Sequence, residues 1–514
     1  MFKTGFHRLL LGSLLALVAL LALLKWGSPR PSEPGKGRLY VYCAAGLREA
    51  FEEVAARYRQ EYGIEMETTY EGSGKLLGEI QAGQQGDLFL AADTTFLDDA
   101  ARLGFLEERT PVASQVPCLV WRPDATQVPS NTSAPNDDAL WRAVLAENVK
   151  LSLAEPKVAG ISRVASRQLQ KETLDGQPLW ELLMKKATVV RQTVNEVAND
   201  VRAGVVDVGI VWDATASQYP ELRVTRVAKL DESVQQVELG VLRFSKQPSR
   251  ALHFLRYLSS RDRGLPIFQK HAYRVVDGDA WSETPELHLF TGGLMHPAIQ
   301  GAIEEFEKRE GVRVVQTPNG CGILVSQIKA GEHPDTYFAC DTTFMDSVSD
   351  IFPNAKNVSS TEIVLIVSKV RPDCDRIQSL EDIAKPGWKL GLCNPEHSAL
   401  GALSQRLLEG RGQWEAVKGQ VIDWPSTADR LVESLVIGSI DAALVYRANT
   451  VRQADKLRVI PVDDPRAQAT QPVAVARDSR YPRLAGRLVD RLLSQASQAT
   501  FESLGFRWLG GSAP

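Results

Sequence analysis

Apolar positions between residues 39 and 98 follow two spacings in alternation. Short runs at 39–42, 65–70 and 88–91 have the length and spacing of β-strands. Between the first two runs, apolar residues at 47–58 recur at helical spacing, and a second helix is predicted before the third run. The order strand, helix, strand, helix, strand predicts a parallel sheet with crossover helices, and therefore an α/β fold.

The same pattern occurs twice in the chain. Residues 39–98 align without a gap with residues 287–346, at a constant shift of 248 positions (287 minus 39). The residues that match in register are Gly63 and Gly311, Gly72 and Gly320, Gly74 and Gly322, Ile80 and Ile328, Gly83 and Gly331, and Asp87 and Asp335. Such self-similarity indicates a tandem duplication. We call the two copies unit one, predicted at residues 38–285, and unit two, predicted at residues 286–514.

Small residues follow the first two strands of unit one. Residues 44–46 read Ala-Ala-Gly, and residues 72–74 read Gly-Ser-Gly. We interpret these glycines as residues of tight turns. Both turns fall at the carboxyl end of a strand and the amino end of a helix, where open α/β sheets bind ligands and where backbone amides favour an anion. The sequence therefore predicts a ligand site at these strand ends.

The rest of each unit adds a second set of strands and then returns to the first set. In unit one, the apolar runs at 117–121, 151–153 and 208–212 predict the second set, and the run at 237–241 predicts the return. This order predicts two lobes with mostly parallel sheets, joined by a hinge. Ligand sites commonly lie between such lobes.

Composition and motifs disfavour several classes of protein. The chain of 514 residues has a net charge of −4 and 44% apolar residues, and it contains no basic run, so no nucleic-acid partner is predicted. It contains no nucleophile elbow, metalloprotease motif or phosphate-binding loop motif. We therefore predict that the protein is not an enzyme, and we assign no cofactor and no metal site.

The amino terminus has the pattern of a targeting segment. Basic residues precede an apolar run at 9–24, which is longer than a usual signal-peptide core and shorter than a typical membrane span. A linker rich in proline, glycine and serine follows at 27–37, which disfavours a buried core helix. We predict a signal or anchor segment at residues 1–37. An uncleaved membrane anchor is our first interpretation, and a cleaved signal is the second. Either form places the folded part outside the cytoplasm.

Four stretches together resemble one family of proteins. They lie at residues 44–47 (Ala-Ala-Gly-Leu), 72–76 (Gly-Ser-Gly-Lys-Leu), 86–93 (Gly-Asp-Leu-Phe-Leu-Ala-Ala-Asp) and 394–397 (Asn-Pro-Glu-His). Over nearly all of both units the chain resembles the periplasmic molybdate-binding proteins of ABC importers, which have the two-lobed periplasmic binding fold. The resemblance implies two tandem periplasmic-binding-protein-like units. It also implies a small inorganic oxyanion as the ligand and an ABC importer permease on other chains as the partner.

The resemblance implies five ligand positions in unit one. The family holds its oxyanion without a counter-charge, through hydroxyls, backbone amides and one aromatic hydroxyl. These positions fall on Gly46, Ser73, Ala159, Val194 and Trp212. Gly46 lacks the hydroxyl of the family's first serine, whereas the indole N–H of Trp212 can replace a phenol as a donor. Ser73 has a second interpretation from its position alone, as the N-cap of a helix.

Unit two departs further from the family. The corresponding positions fall on Leu294 or Gly293, Cys321, Leu400, Ala428 and Tyr446. Cys321 replaces a serine hydroxyl, and a thiol is a weak hydrogen-bond donor. We therefore expect unit two not to bind the same oxyanion as unit one with similar strength.

The cysteines of unit two leave three interpretations open. Cys321, Cys340 and Cys393 fall at or just beyond predicted strand ends, with His397 near. A disulfide, first between Cys321 and Cys340, is favoured outside the cytoplasm, and buried free thiols or a soft-metal site are the alternatives. The predicted function is accordingly an oxyanion receptor for an ABC importer. The alternatives are a receptor for a soft metal or another solute that uses these cysteines, and a membrane-tethered sensor or scaffold.

Overall fold

The computed structural model describes residues 37–125, 137–369 and 371–512 of the chain. The strands of unit one are β1 (Arg38–Ala44), β2 (Glu65–Glu71), β3 (Leu88–Ala91), β4 (Leu106–Gln115), β5 (Pro117–Trp121), β6 (Leu151–Ala154), β7 (Thr173–Leu174), β8 (Gln177–Pro178), β9 (Ala187–Arg191), β10 (Val208–Trp212), β11 (Arg223–Thr225), β12 (Gln235–Leu242) and β13 (Arg274–Val275). Its helices are α1 (Arg48–Tyr62), α2 (Ser73–Gly83), α3 (Thr94–Arg102), α4 (Asp137–Leu145), α5 (Gly160–Leu169), α6 (Leu179–Lys186), α7 (Val194–Arg202), α8 (Asp213–Ser217), α9 (Ala228–Asp231), α10 (Pro248–Leu258) and α11 (Gly264–Lys270).

Unit two repeats this order of elements. Its strands are β14 (Glu286–Gly292), β15 (Arg313–Asn319), β16 (Thr336–Phe338), β17 (Lys356–Ser368), β18 (Leu390–Gly391), β19 (Val421–Asp423), β20 (Ala442–Tyr446), β21 (Leu457–Pro461), β22 (Gln468–Val475) and β23 (Arg507–Ser512). Its helices are α12 (His296–Glu310), α13 (Cys321–Lys329), α14 (Thr342–Asp346), α15 (Leu380–Ile383), α16 (Ala399–Gly410), α17 (Trp414–Lys418), α18 (Ala428–Val436), α19 (Arg447–Thr450), α20 (Pro482–Leu492) and α21 (Gln495–Ser503). The predicted division at residue 286 coincides with the start of β14.

Each unit consists of two lobes. In unit one, a six-stranded sheet in the order β13-β4-β12-β3-β1-β2 forms the first lobe, and a five-stranded sheet in the order β11-β5-β10-β6-β9 forms the second. In unit two a single sheet runs through both lobes, because β17 pairs with β22 in the first lobe and with β20 and β21 in the second. The α/β fold class with two tandem two-lobed units is therefore confirmed.

The sheets are mixed, so the prediction of mostly parallel sheets is wrong. β1 is parallel to β2 and β3, and β6 is parallel to β9 and β10. In contrast, β12 is antiparallel to β3 and β4, and β5 is antiparallel to β10. The antiparallel pairs arise because the chain crosses between the lobes in extended segments. A strand that starts at the cleft runs in the opposite direction to the strands that end at the cleft.

The apolar positions that indicated α1 and its neighbours form the core of the first lobe. Phe51 and Val54 of α1 are fully buried and pack with Leu90 of β3 and Phe254 of α10. Gly63 ends α1 in the left-handed conformation (φ 68°), which a residue without a Cβ adopts readily. The predicted targeting segment lies, up to residue 36, outside the described residues. Within the described ranges, no helix is long and apolar enough to cross a membrane.

A buried ionic cluster joins the first lobes of the two units. Glu310, at the end of α12, accepts hydrogen bonds from Arg256 of unit one at 3.1 Å and from Arg487 of α20 at 2.6 Å. Glu310 is 2% exposed and Arg256 5%. Burial raises the pKa of Glu310, but the Arg487 and Arg256 charges outweigh burial and hold the pKa below its usual range. The Glu310 carboxylate is therefore shared by two arginine side chains inside the contact between units.

The two lobes of unit one meet backbone to backbone. The amide of Gly74 donates a hydrogen bond to the Val158 carbonyl of the second lobe at 2.7 Å. A Cβ at Gly74 would lie 2.3 Å from the Lys157 carbonyl oxygen, and one at Gly72 would lie 2.6 Å from that of Val158. Neither glycine has a positive φ. The tight-turn interpretation is therefore wrong for this pair, and the close approach of the other lobe is the reason that glycine stands there.

Unit two has the same closure. The amide of Gly322 donates to the His397 carbonyl at 3.1 Å. A Cβ at Gly322 would lie 2.0 Å from the Glu396 carbonyl oxygen, and one at Gly320 would lie 2.3 Å from that of His397. Both units are therefore in a closed conformation, in which no side chain separates the lobes at these contacts.

We predict that Glu310→Gln lowers the free energy of unfolding by ~3–5 kcal/mol, because two buried guanidinium groups lose the charge that compensates them. The matched control is Glu305→Gln on the same helix, whose partner Arg491 is at the surface. We expect the control to change stability by ~0–1 kcal/mol. Chemical denaturation of the three proteins measures both effects. Equal destabilisation by the two changes would contradict the role given to Glu310.

We predict that Gly74→Ala shifts unit one towards an open conformation, since the new methyl group meets the Lys157 carbonyl. Small-angle X-ray scattering should show a larger radius of gyration. The control is Gly78→Ala in the same helix, where an added Cβ meets nothing within 4 Å and where alanine is favoured over glycine. Identical scattering from Gly74→Ala and Gly78→Ala would refute the explanation of this glycine.

Candidate functional site

Strand ends and helix starts from both lobes of unit one surround one cavity, which we call cup one. Its wall includes the turn after β1, the amino ends of α2, α5 and α7, and the end of β10. Its cavity volume is about 20 Å³. The five residues predicted in unit one, Gly46, Ser73, Ala159, Val194 and Trp212, all lie on this wall. The structure thus brings together residues that are far apart in the sequence.

Ser73 provides a hydroxyl group to cup one. It is the first residue of α2 and 1% exposed, and its Oγ accepts a hydrogen bond from the Ala92 amide at 3.3 Å. Gly72 occupies the N-cap position, so the alternative interpretation of Ser73 as the N-cap is wrong. In the part of the chain that the structure describes, the hydroxyl proton has no protein acceptor. It is therefore available to a ligand.

Val194 begins α7, and its amide is left free by the cap of that helix. The N-cap residue Thr193 accepts from the Glu196 amide at 3.3 Å, and the Glu196 carboxylate accepts from the Thr193 amide at 2.8 Å. This capping box satisfies the amides on both sides of Val194. The Val194 amide, at the amino end of a helix on the wall of cup one, can therefore bind an anion.

Ala159 lies on the wall, but its amide is already used. It donates to the Glu155 carbonyl at 2.8 Å, in the turn that precedes α5. The next two amides, of Gly160 and Ile161, begin the helix and also line cup one. The available backbone donors therefore lie one and two positions after Ala159, the residue that the sequence indicated.

Gly46 and Trp212 are the two remaining residues that the sequence predicted for cup one. The Gly46 carbonyl accepts hydrogen bonds from the Tyr273 hydroxyl at 2.8 Å and from Gln218 at 3.0 Å. A Cβ at Gly46 would lie 3.0 Å from a methyl carbon of Val194, so little space remains for a serine there. Trp212 ends β10 and is 1% exposed.

No lysine or arginine contributes to the described wall of cup one. The carboxylate on the wall, Glu71, is paired with Lys75 at 2.5 Å. Asp93 caps α3 by accepting from the Thr95 amide at 3.0 Å, and its Oδ2 atom would lie 1.8 Å from a Cβ at Gly160. Burial raises the pKa of Asp93, against the opposing effect of its hydrogen bonds with Thr95.

The corresponding cavity of unit two, which we call cup two, also has a volume of about 20 Å³. The three residues predicted in unit two, Cys321, Ala428 and Tyr446, all lie on its wall. Gly293, Leu294 and Leu400 do so as well. The hydroxyl group of Tyr446 is buried and has no partner among the described residues. Cup two also carries a carboxylate, Asp429, which accepts a hydrogen bond from Asn449 at 2.9 Å.

Ser398, rather than Leu400, is the counterpart of Ala159. The Ser398 amide donates to the Asn394 carbonyl at 3.0 Å, as the Ala159 amide donates to that of Glu155. Leu400, the position predicted from the sequence, lies two residues after Ser398, whose hydroxyl was not predicted on the wall of cup two. The shared X-Pro dipeptides at 155–156 and 394–395 would have indicated it.

Cys321 and Cys340 meet on the wall of cup two, whereas Cys393 does not line it. The Cys340 amide donates to the Cys321 sulfur at 3.2 Å. All six cysteines of the chain are free thiols, so the disulfide interpretation is wrong for this structure. The described residues contain no group of three or more His, Cys, Asp or Glu side chains placed to hold a metal ion.

Comparisons with known proteins bear on the family. The model of the bacterial extracellular solute-binding protein family matches residues 39–274 and again residues 287–507. A Haemophilus influenzae protein named only for binding is 21% identical over 225 residues, which cover 44% of this chain and 91% of that protein. The molybdate-binding protein ModA of Mycobacterium bovis is 23% identical over 237 residues, covering 45% and 83%. The structure of the Azotobacter vinelandii periplasmic molybdate-binding protein covers 43% of this chain and 99% of its own, at 15% identity and a TM-score of 0.38.

The family model matches nearly the whole of each unit, and each unit has two lobes that close on a cup at their strand ends. The chain therefore belongs to the bacterial extracellular solute-binding protein family, as a tandem pair of solute-binding units.

Proposed function

We propose that unit one binds a tetrahedral oxyanion, molybdate or tungstate first, and delivers it to an ABC importer whose permease is formed by other chains. The observation that carries this proposal is the composition of cup one. Its described wall combines the amino ends of three helices with the Ser73 hydroxyl and has no lysine or arginine. Such a wall provides many neutral donors and no cation.

The electrostatics of this wall suit an anion that must be released again. Each helix amino end carries a partial charge of roughly +0.5, and α2, α5 and α7 all begin at cup one. Their amides can replace the hydration that an oxyanion loses on entry. When the ligand leaves, no buried cation is left without a partner, a state that would be strongly unfavourable.

The size of cup one favours a small ligand. Its volume of about 20 Å³ lies far below the range of roughly 300–1,000 Å³ that is typical of sites for drug-sized molecules. The lobes already touch at Gly74 and Val158, so a larger ligand would have to hold them apart. The relative from Mycobacterium bovis that is named for molybdate binding supports the choice of ion.

We further propose the site residues and the arrangement of the chain. Ser73, Gly160, Ile161 and Val194 donate to the oxyanion, and Gly46, Ala159 and Trp212 shape the wall around it. The family places the folded units outside the cytoplasm. We propose that residues 1–37 export and tether the chain, and that the two domains extend over residues 38–285 and 286–514.

We predict that Ser73→Ala weakens molybdate binding by ~1.5–3 kcal/mol, roughly 10–150-fold in Kd, because a hydrogen bond to a charged ligand is lost. Isothermal titration calorimetry of the full chain with molybdate, tungstate, sulfate and phosphate measures the effect and the preference. The absence of heat with all four ions would overturn the proposed function.

The stoichiometry of the same titration tests the difference between the units. We expect one molybdate per chain, since Cys321 replaces the Ser73 hydroxyl and Asp429 adds negative charge to cup two. Cys321→Ala serves as the matched control and should leave the molybdate isotherm unchanged. Two equivalent sites per chain would contradict the assignment of the oxyanion to cup one alone.

A further inference from the structure

Two thiols contact each other on the wall of cup two. Cys321 stands where unit one has Ser73, and it is fully buried at the start of α13. Cys340 is 7% exposed, and its amide donates a hydrogen bond to the Cys321 sulfur at 3.2 Å. Both residues line the cavity.

A third residue makes room for this pair. Cys340 stands where unit one has Ala92, and Gly292 stands where unit one has Ala44. A Cβ at Gly292 would lie 2.1 Å from the Cys340 sulfur and 3.0 Å from the Cys321 sulfur. The methyl group that unit one carries at this position would therefore exclude the second sulfur. The dithiol depends on three coordinated differences from unit one.

We infer that Cys321 and Cys340 of cup two form a binding site for one soft monovalent cation of the copper(I) or silver(I) class. The cation and the two thiols give a bis-thiolate complex and release two protons, with no change in oxidation state. Two thiolates and one monovalent cation carry a net charge of −1. The helix amino ends around cup two favour such an anionic complex, as they favour an oxyanion.

The ligand set decides between classes of metal ion. Zinc takes four nitrogen, sulfur or oxygen ligands in protein sites. The described residues offer no group of three or more His, Cys, Asp or Glu side chains around these thiols. Soft thiolates select copper(I), and a monovalent d¹⁰ cation is satisfied by two of them. The site therefore fits copper(I) or silver(I) and leaves zinc without enough ligands.

One neighbouring feature supports the site. The Tyr446 hydroxyl is fully buried, has no partner in the described part of the chain and lines the same cavity. From the wall of the same cavity it would act as a positioning residue.

Titration of the reduced full chain with copper(I) tests the inference. The experiment uses an oxygen-free solution and a chromophoric copper(I) chelator as the competitor. We expect one copper(I) per chain, with ultraviolet charge-transfer absorption from thiolate ligands and an affinity that rises with pH because protons are released. Zinc(II) should not compete at similar concentration.

The double variant Cys321→Ser with Cys340→Ala carries the residues that unit one has at these positions, so cup two can accommodate them. It should lose the bound copper(I). Each single change should lower the copper(I) affinity by more than the roughly 10–100-fold that follows the loss of an outer-shell contact. Tyr446→Phe should weaken binding within that smaller range of roughly 10–100-fold. Cys118→Ala and Cys374→Ala, which remove buried thiols away from cup two, should have no effect.

Three results would overturn the inference. The first is that the unmodified protein takes up no more copper(I) than the double variant. The second is that Cys118→Ala or Cys374→Ala loses as much copper(I) as the Cys321 and Cys340 variants. The third is a disulfide between Cys321 and Cys340 in protein isolated without reductant. The inference concerns cup two only. Molybdate binding by the double variant separates it from the proposed function, because cup one should still bind one molybdate whether or not copper(I) binds.

Discussion

The backbone contact between lobes determines the dimensions of both cups. In unit one the Gly74 amide reaches the Val158 carbonyl at 2.7 Å, and in unit two the Gly322 amide reaches that of His397 at 3.1 Å. Any side chain at these glycines would meet carbonyl oxygens of the other lobe. Because the contact lies at the helix amino ends, it also sets how closely their free amides approach one another.

On this common backbone, a few side chains decide the chemistry of each cup. Ser73 and Cys321 occupy the same position, and each accepts a hydrogen bond from the amide that follows the third strand of its unit, at 3.3 and 3.2 Å. The hydroxyl keeps cup one a set of neutral donors, whereas the thiol and its neighbour Cys340 give cup two a soft ligand pair. The duplication thus retains the geometry of the cup and changes the chemical groups on its wall.

The cluster around Glu310 determines how the two units are combined. Arg256 belongs to α10 in the core of the first lobe of unit one, and Glu310 and Arg487 belong to α12 and α20 in that of unit two. Removing one charge of a buried cluster costs several kcal/mol, so the contact resists separation. Because it joins first lobes, opening of either unit requires movement of its second lobe only.

Residue spacing alone determined the duplication, the order of strands and helices, and which residues lie at the strand ends. These features depend on local periodicity and on small residues such as Gly46 and Gly63, which can be read along the chain. Only the tertiary structure decided that Gly72 and Gly74 serve lobe contact and that the amides of Gly160 and Ile161 replace that of Ala159. It also decided that Cys321 and Cys340 meet as free thiols and that the strands of the sheets run in mixed directions. The physical reason is that hydrogen bonds and close contacts between residues distant in the chain leave no periodic signal in the sequence.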